Sequence, residues 1–168
     1  MTDFEKYIQR YLDLVPSENW LDEMKNITNK TVEIYTKLTE EQGNFAYSEG
    51  KWSLKTLLEH LTDTEKIFNY RALRFARKDQ TELSGFDEEK FAENGIANHL
   101  KLSELLEDFQ LTRLNSLAFF SKLTLEQFSQ KGKANGNEIS VETLGKLIVG
   151  HNIHHVNIIE ERYLEKLN

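Results

Sequence analysis

Proline occurs once in the 168 residues, at Pro16, and the rest of the chain is free to wind into helices. Proline is the residue a helix interior tolerates least, because it lacks an amide hydrogen and its ring clashes with the preceding turn. The proline-free remainder is rich in Leu, Glu and Lys and poor in β-branched runs, a bias toward helix. Apolar residues recur there at spacings near three and four, in four stretches. Trp20, Met24, Ile27, Val32, Ile34, Tyr35 and Leu38 mark the first, over about 19–39. Leu54, Leu57, Leu61, Phe68, Ala72 and Phe75 mark the second, capped by Ser53 and reaching about 78. Leu105, Leu106, Phe109, Leu114, Leu117 and Phe120 mark the third, over about 102–123. The fourth starts at a Ser140 cap and runs to about 164, its inward line reading Leu144, Leu147, His151, His155, Ile158, Arg162. A shorter amphipathic segment, about 4–14, precedes Pro16.

Four helices of about twenty residues predict an all-α four-helix bundle, and the length suits one domain, residues 1–168. Residues 41–50 read as a polar loop between Gly43 and Gly50, and 81–98 as irregular, with a turn at Ser84-Gly85-Phe86-Asp87 leading into a short helical piece around Phe91. This long connection between the second and third helices permits an order other than simple up-down alternation. Thr124 with Gln127 suits a capping box, and Asn135-Gly136 a tight turn such as a hairpin tip.

The composition excludes several kinds of chemistry. The chain has no cysteine, so disulfides, thiolate metal sites and cysteine nucleophiles are absent, and any thiol chemistry needs an external thiol. A net charge of −7, with both signs interspersed, argues against nucleic acid as a partner. No stretch has the length of a membrane span, and the charged start Met1-Thr2-Asp3-Phe4-Glu5-Lys6 lacks the apolar core of a secretion signal. A cytoplasmic protein acting on a small molecule is expected.

The histidines carry the chemical signal. His151 and His155 are four apart and share a helix face, with Cβ atoms about 5–6 Å apart. That spacing lets two imidazoles converge on one first-row metal, at about 2.0–2.1 Å for zinc. His60 closes a leucine-rich turn on the second helix. If the two helices face each other, three histidines share one ion and leave a coordination position open for chemistry. Buried imidazoles need partners for their nitrogens, and an ion supplies them; the competing reading is a set of packed core histidines. Two alternative metal motifs are missing. Asn152, not glutamate, follows His151, so the His-Glu-x-x-His protease motif is absent, and no histidine has a glutamate three residues before it, as di-iron bundles require. His154 points about 100° from His155 and reads as a packing residue, and His99 as a surface side chain.

Asp63, one turn beyond His60, reads either as a solvent-facing carboxylate or an intrahelical partner of Lys66, or as an acceptor behind a metal ligand or a base near a metal-bound water. Tyr70 and Arg71 are candidates to line the same cavity, Arg71 toward an anionic substrate group. Trp52 is a candidate wall.

The segments Gly50-Lys51-Trp52-Ser53 leading to His60, Asp63-Thr64-Glu65, Tyr70-Arg71-Ala72, Gly85-Phe86-Asp87-Glu88, Gly132 with Ala134-Asn135-Gly136, Gly150-His151 through His155, and Glu161-Arg162-Tyr163 occur in an order and spacing that resemble the DinB-like superfamily of metal-dependent enzymes. The resemblance implies a bundle connected up-down-down-up and a metal on His60, His151 and His155. Nickel or zinc is implied, with homodimers frequent. Characterised relatives include transferases and isomerases using a low-molecular-weight thiol, and many others are described as hydrolases. The expectation is a metal-dependent hydrolase of a small substrate or a thiol-dependent transferase. The alternative is a non-catalytic, metal-containing ligand-binding or stress-response module.

Overall fold

The computed structural model describes residues 1–16 and 18–167. It contains helices α1 (Asp3–Leu12), α2 (Trp20–Thr36), α3 (Glu40–Gly43), α4 (Leu54–Ala76), α5 (Glu88–Glu93), α6 (Leu102–Phe120), α7 (Leu125–Ser129), α8 (Val141–Ile158) and α9 (Glu165–Leu167). A 3-10 turn, Ala97–His99, precedes α6, and a π-helical turn, Ile159–Leu164, joins α8 to α9. Strands β1 (Lys131–Ala134) and β2 (Asn137–Ser140) form an antiparallel hairpin.

The helix starts follow their caps. Ser53, Thr124 and Ser140 each accept a hydrogen bond from the amide three residues on, which satisfies one free donor of the first turn. The ends fall earlier than the apolar pattern suggests: α2 stops at Thr36, α4 at Ala76 and α6 at Phe120. At Asn135 and Gly136 φ is 50° and 76°, the left-handed pair that a two-residue hairpin loop requires and that Asn-Gly adopts readily.

Side-chain pairings fix the direction of the long helices. Lys66 bonds Asp108 and Asn69 bonds Ser116, so α4 and α6 run parallel. Trp20 lies against Gly145 and Asn152 bonds Thr31, so α8 runs parallel to α2. His60 meets His151 while Tyr163 reaches back to Trp52, so α4 and α8 are antiparallel. The order is up-down-down-up, as the resemblance implied, with α2 diagonal to α4 and α6 diagonal to α8.

Two apolar clusters fill the bundle. One gathers Trp20, Met24, Phe75, Phe120 and Leu144, and the other Tyr35, Leu54, Leu58, Phe109 and Tyr163. A polar layer from all four helices lies between them. Arg113 makes a two-pronged ion pair with Glu65, at 2.8 and 2.9 Å, and also donates to the Thr28 hydroxyl at 2.7 Å and the Asn152 amide oxygen at 3.0 Å. Asn152 in turn donates to Thr31 at 3.0 Å.

The π-helical turn corrects one expectation. On an unbroken α-helix Arg162 continues the inward line, but one extra residue in the turn rotates the face. Tyr163 is therefore buried, donating to the Trp52 carbonyl at 2.7 Å, while Arg162 is exposed beside the Tyr47 hydroxyl. Among the described residues, no helix is long and apolar enough to cross a membrane.

Candidate metal centre

His60 comes from the second turn of α4 and His151 and His155 from the last turns of α8. Because the two helices are antiparallel neighbours, the rings meet. The His151 Nε2 lies 3.0 Å from the His60 Nε2 and 3.0 Å from the His155 Nε2. The ligand atoms of the trio all lie within 4.8 Å of one another. Ring centroids are 4.9, 5.0 and 4.6 Å apart, and the rings stand edge to face.

Hydrogen bonding alone accounts poorly for this arrangement. A neutral imidazole nitrogen carries either one hydrogen or one lone pair, so His151 Nε2 cannot donate to both neighbours. A single cation accepts three lone pairs at once. Bonds of about 2.0–2.1 Å hold neighbouring nitrogens between about 2.9 Å, at a right angle, and about 3.4 Å, at the tetrahedral angle. The observed 3.0 Å separations lie in that range. The donor set thus fits a divalent transition ion.

The electrostatics agree. Burial pushes the His60 pKa down to about 4. His151 falls well below the usual histidine range, through burial first and then the neighbouring His155, His60 and His154. His155 falls likewise, through burial, His60 and His154. All three rings are neutral near pH 7, with lone pairs free. The folded state therefore binds fewer protons than the unfolded chain as pH drops below the ordinary histidine value, and stability must fall. For metal-free protein the melting temperature is expected to be flat above about pH 7. It is expected to decline from about pH 6.5 toward 4. Thermal melts of chelator-treated protein across that window check this, and a profile that rises on acidification would contradict it.

A cavity of about 270 Å³ adjoins the trio, reaching His151. Phe4, Ile8, Phe68, Leu144 and Leu147 make its apolar walls, with Tyr11, Thr64, Arg71, Phe86 and Glu88 among the other lining residues. A narrow cleft on the His60 side shares Thr64, Phe86 and Glu88 with it. Helix α1 closes the cavity by lying tightly on α8. A methyl added at Gly150 would sit 2.1 Å from the Tyr11 carbonyl oxygen, so only glycine permits this approach. The Tyr11 ring then packs edge-on against His151 and His154, at 5.6 and 5.3 Å. On the far side, Leu83 bonds Lys133 and Asn135 of the hairpin, which holds the 81–87 loop over the cavity.

The remaining sequence candidates are distributed unevenly. Trp52 stands beside the trio, its ring 4.7 Å from His60. Asp63 is half-buried and lines the His60 cleft. Burial and then Glu59 raise its pKa, against a lowering by Lys66. The Asp63–Lys66 pair, one of the alternatives for Asp63, is not formed; Lys66 instead bonds Asp108 at 2.7 Å. Arg71 lines the cavity, but Tyr70 does not: it is 52% exposed, stacks with Arg74 and borders a separate surface cleft with Leu73 and Leu111. Successive helical residues diverge by about 100°, so the two could not both face one cavity. His154 packs against Tyr11 and His155, and His99 is exposed. Among the described residues, the buried His155 Nδ1 has no hydrogen-bond partner.

The sequence reading gave no role to Tyr11, Thr64 or Glu88. Among the described residues the buried Thr64 hydroxyl has no partner, and Thr64 borders both hollows. The Glu88 carboxyl is raised by burial and by Glu89 and Asp87. Thr64 follows His60 by one helical turn, a spacing that points to a shared face. Glu88 reaches the site through a loop whose path no periodicity reveals.

Fold and site together define a helical bundle with a three-histidine cluster set in the wall of a small cavity. The chain belongs to the DinB superfamily, whose model matches residues 23–159. It is 30% identical over 145 residues to a protein of Oceanobacillus iheyensis named "Putative metal-dependent hydrolase OB0413", covering 82% of this chain and 79% of that protein. The solved structure of YfiT from Bacillus subtilis, described as "a probable metal-dependent hydrolase with an unusual four-helix bundle topology", matches with a TM-score of 0.79 at 21% identity, over 89% of this chain and 86% of YfiT. The likeness to YfiT bears on the fold.

Proposed function

We propose that His60, His151 and His155 hold one divalent transition metal, zinc or nickel, and that the protein is a metal-dependent hydrolase of a small substrate. The observation that carries this reading is the meeting of three neutral Nε2 atoms beside a cavity. The name of the Oceanobacillus relative supports it.

A bound ion supplies Lewis acidity, which makes water or an incoming thiol nucleophilic near neutral pH. The chain's own residues do the rest. Trp52 and Tyr11 hold the imidazole rings in place by packing on them. The apolar walls exclude bulk water and strengthen the charges within. Asp63 and Glu88, whose carboxyl pKa values are raised, are placed to accept the proton released as the nucleophile forms. The Thr64 hydroxyl lies where it can orient the nucleophile or the substrate.

The test uses untagged protein, since a polyhistidine tag would import nickel. Small esters and amides are offered with and without an added low-molecular-weight thiol and an electrophile. Hydrolysis that stops on chelation and returns with zinc or nickel supports the reading. Turnover only in the presence of the thiol would move the protein to the transferases. Rates no greater than those of the free ion would leave a non-catalytic binding module.

A further inference from the structure

We propose that the cavity takes a small molecule with an apolar body and an oxyanion at one end, the oxyanion seated on Arg71. As an assignment of substrate class this rests on the hydrolase reading; as an assignment of a binding site it stands on Arg71 and the cavity alone.

Arg71 is a buried cation, 9% exposed. Among the described residues no carboxylate lies within ion-pair distance of it. Of its five N–H donors, one is committed, to the Ser84 carbonyl at 2.9 Å. Its guanidinium stands 5.9 Å from the centre of the Phe86 ring. Arg113 shows what this fold does with a guanidinium kept for structure: it is saturated by Glu65, Met24, Thr28 and Asn152. Arg71 instead opens onto the cavity that also reaches His151. Burying a charge without a partner is costly, and burial already lowers the Arg71 pKa.

Guanidinium recognises carboxylate or phosphate by paired hydrogen bonds. Phe4, Ile8, Phe68, Leu144 and Leu147 give the cavity apolar walls, and Glu88 also lines it. The helix rise sets Arg71 about 16 Å along α4 from His60, and side chains reaching in from both ends shorten that span. The volume, about 270 Å³, lies at the small end of ligand pockets. The ligand is therefore short, with its anion at one end and its reacting bond at the other.

Calorimetric titration tests this with 3-phenylpropanoate, the matched amide 3-phenylpropanamide, and the phosphonate analogue, each against metal-loaded and chelator-treated protein. The carboxylate is expected to bind at least about tenfold more tightly than the amide, the gain typical of a hydrogen bond to a charged group. That preference should persist after chelation and vanish in Arg71→Met. The phosphonate arm reports which oxyanion is favoured. If circular dichroism shows Arg71→Met unfolded, Arg71→Lys serves, with a weakened preference expected. Equal binding of acid and amide, or no binding of either, overturns the proposal. So does a preference that survives Arg71→Met, and one lost on chelation would place the anion on the metal. Metal content and ester hydrolysis are read separately on the unsubstituted protein, so failure here is distinguishable from failure of the hydrolase reading.

Discussion

Replacing His151 with alanine is expected to empty the centre, taking metal content from about one ion per chain to background in elemental analysis. His151 is the middle member of the trio, 3.0 Å from each of the other two Nε2 atoms and 7% exposed. Losing even a group that orients a ligand typically lowers metal affinity about 10–100-fold, so losing the ligand itself should exceed a hundredfold. His154→Ala is the matched control. His154 packs against Tyr11 and His155 and is not part of the trio, so its loss should leave metal content intact. Retention of the ion by His151→Ala would show that it binds elsewhere.

The second large effect concerns the polar layer. Glu65→Ala leaves the Arg113 guanidinium in a site where both partners' side chains are 2% exposed. Removing one member of a buried pair costs about 3–5 kcal/mol, because the other charge is stranded. For a chain of this size that lowers the melting temperature by about 6–20 °C. The double variant Glu65→Leu with Arg113→Met removes both charges and should recover most of the loss. Melting curves of the single and double variants decide this, and a double variant no better than Glu65→Ala would assign the loss to packing. The same layer holds Asn152, the residue after His151, through Arg113 and Thr31. Glu65→Ala should therefore also weaken metal binding in variants that still fold.

The bundle and the trio were legible from the sequence for one reason: both follow helical periodicity. The apolar stripes and the serine caps at 53 and 140 locate α4 and α8. The four-residue interval between His151 and His155 sets them on one face. His60 joined the expectation through helix pairing, which the resemblance made specific. Three features broke the rule. Tyr70 and Arg71 were read as sharing a cavity, although neighbours on a helix diverge. Arg162 was set inward because nothing in the local pattern announces a π-helical turn. The Glu65–Arg113 pair joins residues 48 apart, and a charge on a helix is usually solvated, so only the packed structure reveals the partnership. Glu88 and Phe86 reach the site through a loop held by the hairpin, a tertiary arrangement with no one-dimensional signature.

The antiparallel contact of α4 with α8 has a consequence for biosynthesis. The imidazole at position 60 leaves the ribosome long before those at 151 and 155. A nascent chain carries one of the three rings until α8 has been made, so the centre cannot assemble before that helix emerges. A prematurely terminated product lacking α8 would keep its first histidine and have nothing to share it with.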